Sequence, residues 1–165
     1  MCKFGLVKFI SINPKIMTFK IVAISLLVLL VSCQQAAQKE ASKSNPLDEK
    51  SIREVLDKQV TAWNGNDIEG FMQGYWKSDS LLFIGSKITN GWDSTLARYK
   101  RSYPNKAAMG ILRFEIMRMD FISSDSYLVT GKYFLTREKD SPTGVFTLLF
   151  RKKNGLWVAV YDHTA

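Results

Sequence analysis

The stretch that most constrains the fold is Thr143 to His163, TGVFTLLFRKKNGLWVAVYDH. Two apolar runs flank Asn154-Gly155, and that dipeptide suits the two positive-φ positions of a two-residue hairpin turn. The turn pairs Lys153 with Leu156. Regular alternation then pairs Phe150 with Ala159, Leu148 with Tyr161 and Phe146 with His163. A hairpin this apolar needs a cover on one face, and the segments before it are expected to supply it.

Those segments read as helices. Asn45-Pro46 supplies an N-cap and a first helical position, and Asp48 and Glu49 fall in the first turn, where the helix dipole favours acids. Ile52, Val55, Leu56, Val60 and Trp63 recur on one face until Gly65 ends the run. Asp67 caps a shorter second helix carrying Ile68, Phe71, Met72 and Tyr75. Leu81 to Ile84 is a short buried strand, and Asn90-Gly91 is a turn. Asp93 or Ser94 starts a third helix with Trp92, Leu96, Tyr99 and Tyr103 as its stripe, and Pro104 ends it. No helical pattern follows. Strand patterns cover Gly110 to Ile122, Tyr127 to Arg137, Gly144 to Lys153 and Leu156 to His163, with turns at Ser123-Ser124-Asp125, Asp140-Ser141-Pro142 and Asn154-Gly155. Helices followed by an antiparallel meander make an α+β domain.

Strand alternation sorts the side chains. With Tyr133 beside Leu148 and Leu135 beside Phe146, one face gathers the aromatic residues and ends in Arg137, Tyr161 and His163. The opposite face takes Lys132, Arg151, Val158, Val160 and Asp162. The aromatic face is assigned to the inside, under the helices. An apolar pocket with a few polar groups at its mouth is the usual form of a small-ligand site. The strand from Gly110 to Ile122 mixes polar and apolar residues on both faces, so alternation leaves its facing open.

The N-terminus reads as an address. Residues 1–33 carry lysines ahead of the apolar run Ile21 to Val31, too short to span a bilayer and typical of an export signal. Met17 is an alternative start. Leu30-Val31-Ser32-Cys33 resembles a bacterial lipobox, with Cys33 as the lipidated residue that anchors the protein in the cell envelope. Residues 34–45, QQAAQKEASKSN, contain nothing to bury and read as a flexible tether. The domain occupies 46–165. The leader's four lysines account for half of the net charge of +8, leaving +4. That balance makes no case for nucleic acid. The chain's two cysteines, Cys2 and Cys33, both precede the domain, which leaves the domain without a disulfide or a cysteine metal site.

Taken together, YWKSDSLLFIG, NGWDSTLARYKRSYP and GVFTLLFRKKNGLWVAVYDHT, in that order after a helix pair, resemble the SnoaL-like branch of the nuclear-transport-factor-2-like superfamily. The group catalogued as domain of unknown function 4440 is the nearest. The resemblance implies a cone: a strongly curved antiparallel sheet wrapped round N-terminal helices, often dimeric through the outer sheet face. Its open end commonly holds a small hydrophobic or carbonyl-bearing ligand. Relatives include isomerases, cyclases and dehydratases, and the fold does not choose among them.

Two residues are candidate general bases. His163 is the only histidine, and imidazole is a side chain suited to general acid–base work, but adjacent strand residues face opposite ways, so Asp162 is not expected to orient its ring. Glu115 would have a raised pKa if its face is inward. Otherwise it forms an ion pair with Arg113 or Arg137. Trp63, Tyr133 and Tyr161 are expected to line a cavity, Arg137 and His163 to sit at its mouth, and Trp92 and Trp157 to be core. One histidine and scattered acids give no metal-ligand spacing. No phosphate-cradling loop, GxSxG or HExxH occurs, and no cofactor is expected. Three readings stay open: a tethered ligand-binding domain without turnover, a cofactor-free isomerase, dehydratase or hydrolase, and a homodimeric interaction module.

Overall fold

The computed structural model describes residues 44–165. The signal segment, Cys33 and most of the tether lie outside the described residues. The element order is α1 (Pro46–Asn64), α2 (Ile68–Met72), β1 (Leu82–Ile84), β2 (Ile88–Asn90), α3 (Trp92–Ser102), α4 (Lys106–Met109), β3 (Ile111–Ser123), β4 (Ser126–Thr136), β5 (Thr143–Lys153) and β6 (Leu156–Thr164). Six strands form one sheet in the order β2-β1-β6-β5-β4-β3. All neighbours are antiparallel except β1 and β6. The expected α+β architecture is present, and the sheet curves without closing, because β2 and β3 are its two edges.

The first two helices begin where their caps predict. Asn45 Oδ1 accepts the Leu47 N–H, with Pro46 at the first helical position, and Asp67 Oδ1 accepts the Gly70 N–H. Ile52, Leu56 and Trp63 of α1 are buried against the sheet. Side chains then pin α1 at both ends. Asp48 Oδ1 accepts from Lys152 Nζ at 2.9 Å and from Trp157 Nε1 at 3.0 Å. Burial acts to raise the Asp48 pKa, but these two donors outweigh it and leave the carboxyl below its ordinary value. At the other end the Asn64 amide exchanges two hydrogen bonds with the Leu112 backbone. Trp63 Nε1 donates to the Met109 carbonyl at 3.1 Å.

Two elements escaped the periodicity. Residues 88–90 form a strand at the sheet edge, and Asn105 caps the one-turn α4. A single turn is too short to carry a periodic signal. Helix α3 begins at Trp92, ahead of the expected start at Asp93 or Ser94, after Gly91 at φ 85°.

The β5–β6 turn is as expected: Asn154 and Gly155 have φ 50° and 81°, with Lys153 opposite Leu156. The β4–β5 register differs. Val129 pairs with Leu148, Gly131 with Phe146 and Tyr133 with Gly144, four residues from the expected pairing. The turn is tighter than Asp140-Ser141-Pro142 implied. Arg137 and Asp140 close it through a backbone hydrogen bond and an ion pair at 2.6 Å. Four is an even number, so every side chain keeps its face. Gly131 is required by this packing: a Cβ there would lie 2.4 Å from Phe146 Cζ and 2.7 Å from the Glu115 carbonyl oxygen.

Bulges change parity in β3 and β6. In β3 the register shifts between Ile116 and Arg118 and again between Phe121 and Ser123. Leu112, Phe114 and Ile116 face the core before the first shift, and Met119 and Phe121 face it after, while Met117 points to solvent. In β6 the register shifts at Val160. Bulges also bend the strand that carries them, which curves the sheet around the helices.

Candidate functional site

A cavity of about 500 Å³ lies between the helices and the inner face of the sheet. Its wall is largely aromatic, with Trp63, Phe71, Tyr99, Tyr103, Tyr133 and Phe146 among the lining side chains. The rings meet mainly edge to face. Trp63 lies 5.1 Å from Phe71 and 4.7 Å from Tyr103, and Phe114 lies 5.2 Å from Phe146. Edge-to-face contacts of this kind each add about 0.5–1.5 kcal/mol beyond area burial and hold the rings of the wall against one another.

The polar centre of this wall is Asp162, 2 % exposed. Its Oδ2 accepts from the Tyr75 hydroxyl at 2.7 Å and its Oδ1 from the Thr164 hydroxyl at 2.5 Å. Burial pushes the Asp162 carboxyl up to about 6, and the Thr164 and Tyr75 hydroxyls keep it from rising further. Burial beside this charge holds the Tyr75 and Tyr99 phenols well above their ordinary range, so both remain donors. Gln59 is also buried at the cavity, with its amide nitrogen committed to the Phe71 carbonyl.

The bulge at Val160 places Asp162 here. Alternation without it puts Tyr161 and His163 inside and Asp162 outside. Instead Leu148 pairs with Asp162, Leu149 with Tyr161 and Thr147 with His163. The edge of β6 changes partner at the same point. Ala159 exchanges backbone hydrogen bonds with Gly74 and Trp76, whereas from Tyr161 onward β6 runs beside β1. The extra residue accommodates the change of neighbour.

The expected site residues therefore separate. Trp63 and Tyr133 line the cavity. Tyr161 and His163 do not: they sit on the outer face, where His163 is exposed. The expectation that these two form the cavity wall and rim is corrected by the bulge. Arg137 is also outside the lining, held by Asp140 and by the Ala108 carbonyl. The Glu115 side chain is 53 % exposed and pairs with Arg113 at 3.6 Å, so the ion-pair alternative describes it and the cavity-base alternative does not. Trp92 and Trp157 are buried in the core. Period-two alternation could not have found Asp162. Tyr75 and Tyr99 were legible only as helix-stripe packing. Among the described residues no cluster of three or more His, Cys, Asp or Glu side chains could hold a metal.

An NTF2-like protein of unknown function from Shewanella oneidensis MR-1 is 43 % identical in sequence and superposes with a TM-score of 0.69, over 71 % of this chain and 98 % of that one. The chain belongs to the NTF2-like family. More distant solved structures share the fold alone. A domain of unknown function with a cystatin-like fold from Nostoc punctiforme is 18 % identical, with a TM-score of 0.62 over 74 % of this chain and 78 % of that one. A ketosteroid isomerase-like protein from Erwinia carotovora atroseptica is 19 % identical, with a TM-score of 0.54 over 70 % of this chain and 92 % of that one. No family model and no curated protein matches the sequence.

For this NTF2-like cone, the arrangement offers an apolar ligand aromatic faces and offers a polar group one carboxylate flanked by phenol donors. A carboxyl that titrates near 6 can hold or release a proton close to neutral pH.

Proposed function

We propose that the domain binds a small, largely apolar molecule carrying a hydroxyl or carbonyl group, and holds it without turnover. The observation that carries this reading is a preformed aromatic cavity with a single buried carboxylate, Asp162, already fixed by Tyr75 and Thr164. Such a site fixes orientation with few polar groups and draws affinity from apolar area. With 2-naphthol as probe, the full chain should melt several degrees higher, since a ligand present at 100 times its Kd adds about 2.7 kcal/mol. Leu148→Trp, which fills the cavity, should remove the shift. No shift with 2-naphthol or other neutral aromatic alcohols, or an equal shift in Leu148→Trp, overturns the reading.

The raised pKa of Asp162 favours a second reading, a cofactor-free proton transfer with Asp162 as base and the Tyr99 phenol as oxyanion donor, the Tyr75 hydroxyl being committed to Asp162. It replaces Glu115 and His163 in that role. This reading requires Asp162→Asn to abolish turnover of a substrate that the variant still binds.

The cell-envelope address is part of the proposal. The apolar run Ile21 to Val31 followed by Ser32-Cys33 supports attachment through lipid on Cys33. The outer sheet face carries Val145, half exposed, beside Leu149, Val158 and Val160, which suits a homodimer. One fractionation tests both ideas. Cys33→Ser should move the protein from the membrane to the soluble fraction, where it should sediment as a dimer. Continued membrane association counts against the anchor, and a monomer at micromolar concentration counts against the dimer.

A further inference from the structure

The mouth of the cavity holds a cation that the reading above does not use. Arg98 lines it together with Gly85, Ser86 and Ser102. Its guanidinium carbon lies 4.4 Å from the centroid of the Phe83 ring, and Phe83 packs edge-on against Tyr99 at 5.7 Å. Stacking on a buried ring fixes the plane of the guanidinium. Among the described residues no carboxylate comes within ion-pairing distance of Arg98, although seven other ion pairs form. Asp162 feels the charge of Arg98, but each of its oxygens already accepts a hydroxyl, from Tyr75 and Thr164. The guanidinium fork is therefore oriented, half-buried and uncommitted at the entrance of an apolar pocket. A planar fork of N–H donors matches a carboxylate in two parallel hydrogen bonds.

We propose that Arg98 makes this cavity select amphipathic organic anions, its guanidinium pairing with a carboxylate at the mouth while the apolar body rests on the aromatic wall. The proposal rests on the ligand-binding reading and adds the charge class of the ligand. The serine hydroxyls of Ser86 and Ser102 are the neighbouring groups available to the remaining lone pairs of the carboxylate. A neutral ligand would leave the fork to water.

The test compares 4-phenylbutyrate with its neutral isostere 4-phenylbutanamide by titration calorimetry on the full chain. The wild type should bind the carboxylate about ten- to a hundredfold more tightly, the range of a charge-assisted hydrogen bond. Arg98→Met should bring the carboxylate down to the affinity of the amide and leave the amide within about twofold of wild type, because the change removes a charge and not the wall. If Arg98→Met does not fold, the wild-type preference itself should shrink at least severalfold between 20 mM and 500 mM salt, as screening predicts for a half-exposed pair. Equal wild-type affinity for the two probes, a preference retained in Arg98→Met, or a preference indifferent to salt overturns the proposal while ligand binding stands. If neither probe binds, the proposal and the ligand-binding reading fall together.

Discussion

Urea unfolding measured from pH 4 to pH 8 should show Asp162 withdrawing about 3 kcal/mol of stability as the pH rises. Each unit of pKa is worth about 1.4 kcal/mol, and burial raises this carboxyl from 3.8 to about 6. Between those values the folded protein holds a proton that the unfolded chain has released, so stability falls with pH across that window and levels off above it. The depressed carboxyls of Asp48 and Asp125 act in the opposite sense, losing stability as the pH drops through their lowered values. The comparison with Asp162→Asn isolates the one group. That variant should match wild type near pH 4 and exceed it by up to about 3 kcal/mol at pH 8. The new amide oxygen can keep accepting from the Tyr75 hydroxyl while the amide nitrogen donates to the Thr164 hydroxyl oxygen, so both present partners are kept. Tyr75→Phe should do the reverse, deepening the wild-type loss above pH 6 by roughly 1.5–3 kcal/mol, the worth of a hydrogen bond to a charged group. In the Asp162→Asn background the same change should cost less. A wild-type curve parallel to that of Asp162→Asn at every pH would show that the carboxyl is not perturbed. A buried acid kept at such a cost is more readily explained by a ligand or a proton than by packing.

The distinction between what could and could not be read follows from the range of each signal. Asn154-Gly155, Asn45-Pro46 and Asp67 are local: the turn or cap depends on two or three residues, and each forms where it was expected. The stripe through Ile52, Leu56 and Trp63 is also local, since it repeats with the helix itself. The inner face of β4 and β5 survived a register error because the error was even. The cavity's polar centre did not survive, because one extra residue at Val160 inverts everything after it. Nothing in Ala159-Val160-Tyr161 marks a bulge. Its cause is the change of neighbour from Tyr75 to β1, contacts 84 and 79 residues apart in sequence. The same limit applies at Met117, where the mixed composition of both faces was the visible trace of a parity change along β3. Glu115 and His163 were chosen for their chemistry, and their positions show that chemistry without facing does not locate a site.

Trp63→Ala should be the costliest single change in the cavity wall, lowering stability by about 3–5 kcal/mol. Trp63 is 3 % exposed and meets Phe71, Tyr99 and Tyr103 edge-on. Its indole N–H also satisfies the Met109 carbonyl at the end of α4. Truncation removes the ring contacts, enlarges an existing cavity and leaves a buried acceptor unpaired. A domain of this size has only about 5–15 kcal/mol to lose, so the variant should be partly unfolded near physiological temperature. Trp63→Phe separates the two contributions. It keeps a ring on the wall and loses only the donor, at roughly 1–3 kcal/mol, and it should still respond to 2-naphthol. Denaturant curves for the pair decide the point. If Trp63→Ala costs less than about 1 kcal/mol, below the range for a buried aromatic, the wall is a surface lining that could be remodelled freely. If it costs the full amount, wall and core are one structure. In that case the ligand site can be altered safely only at its mouth, around Arg98, Ser86 and Ser102, where the side chains carry no packing from Trp63.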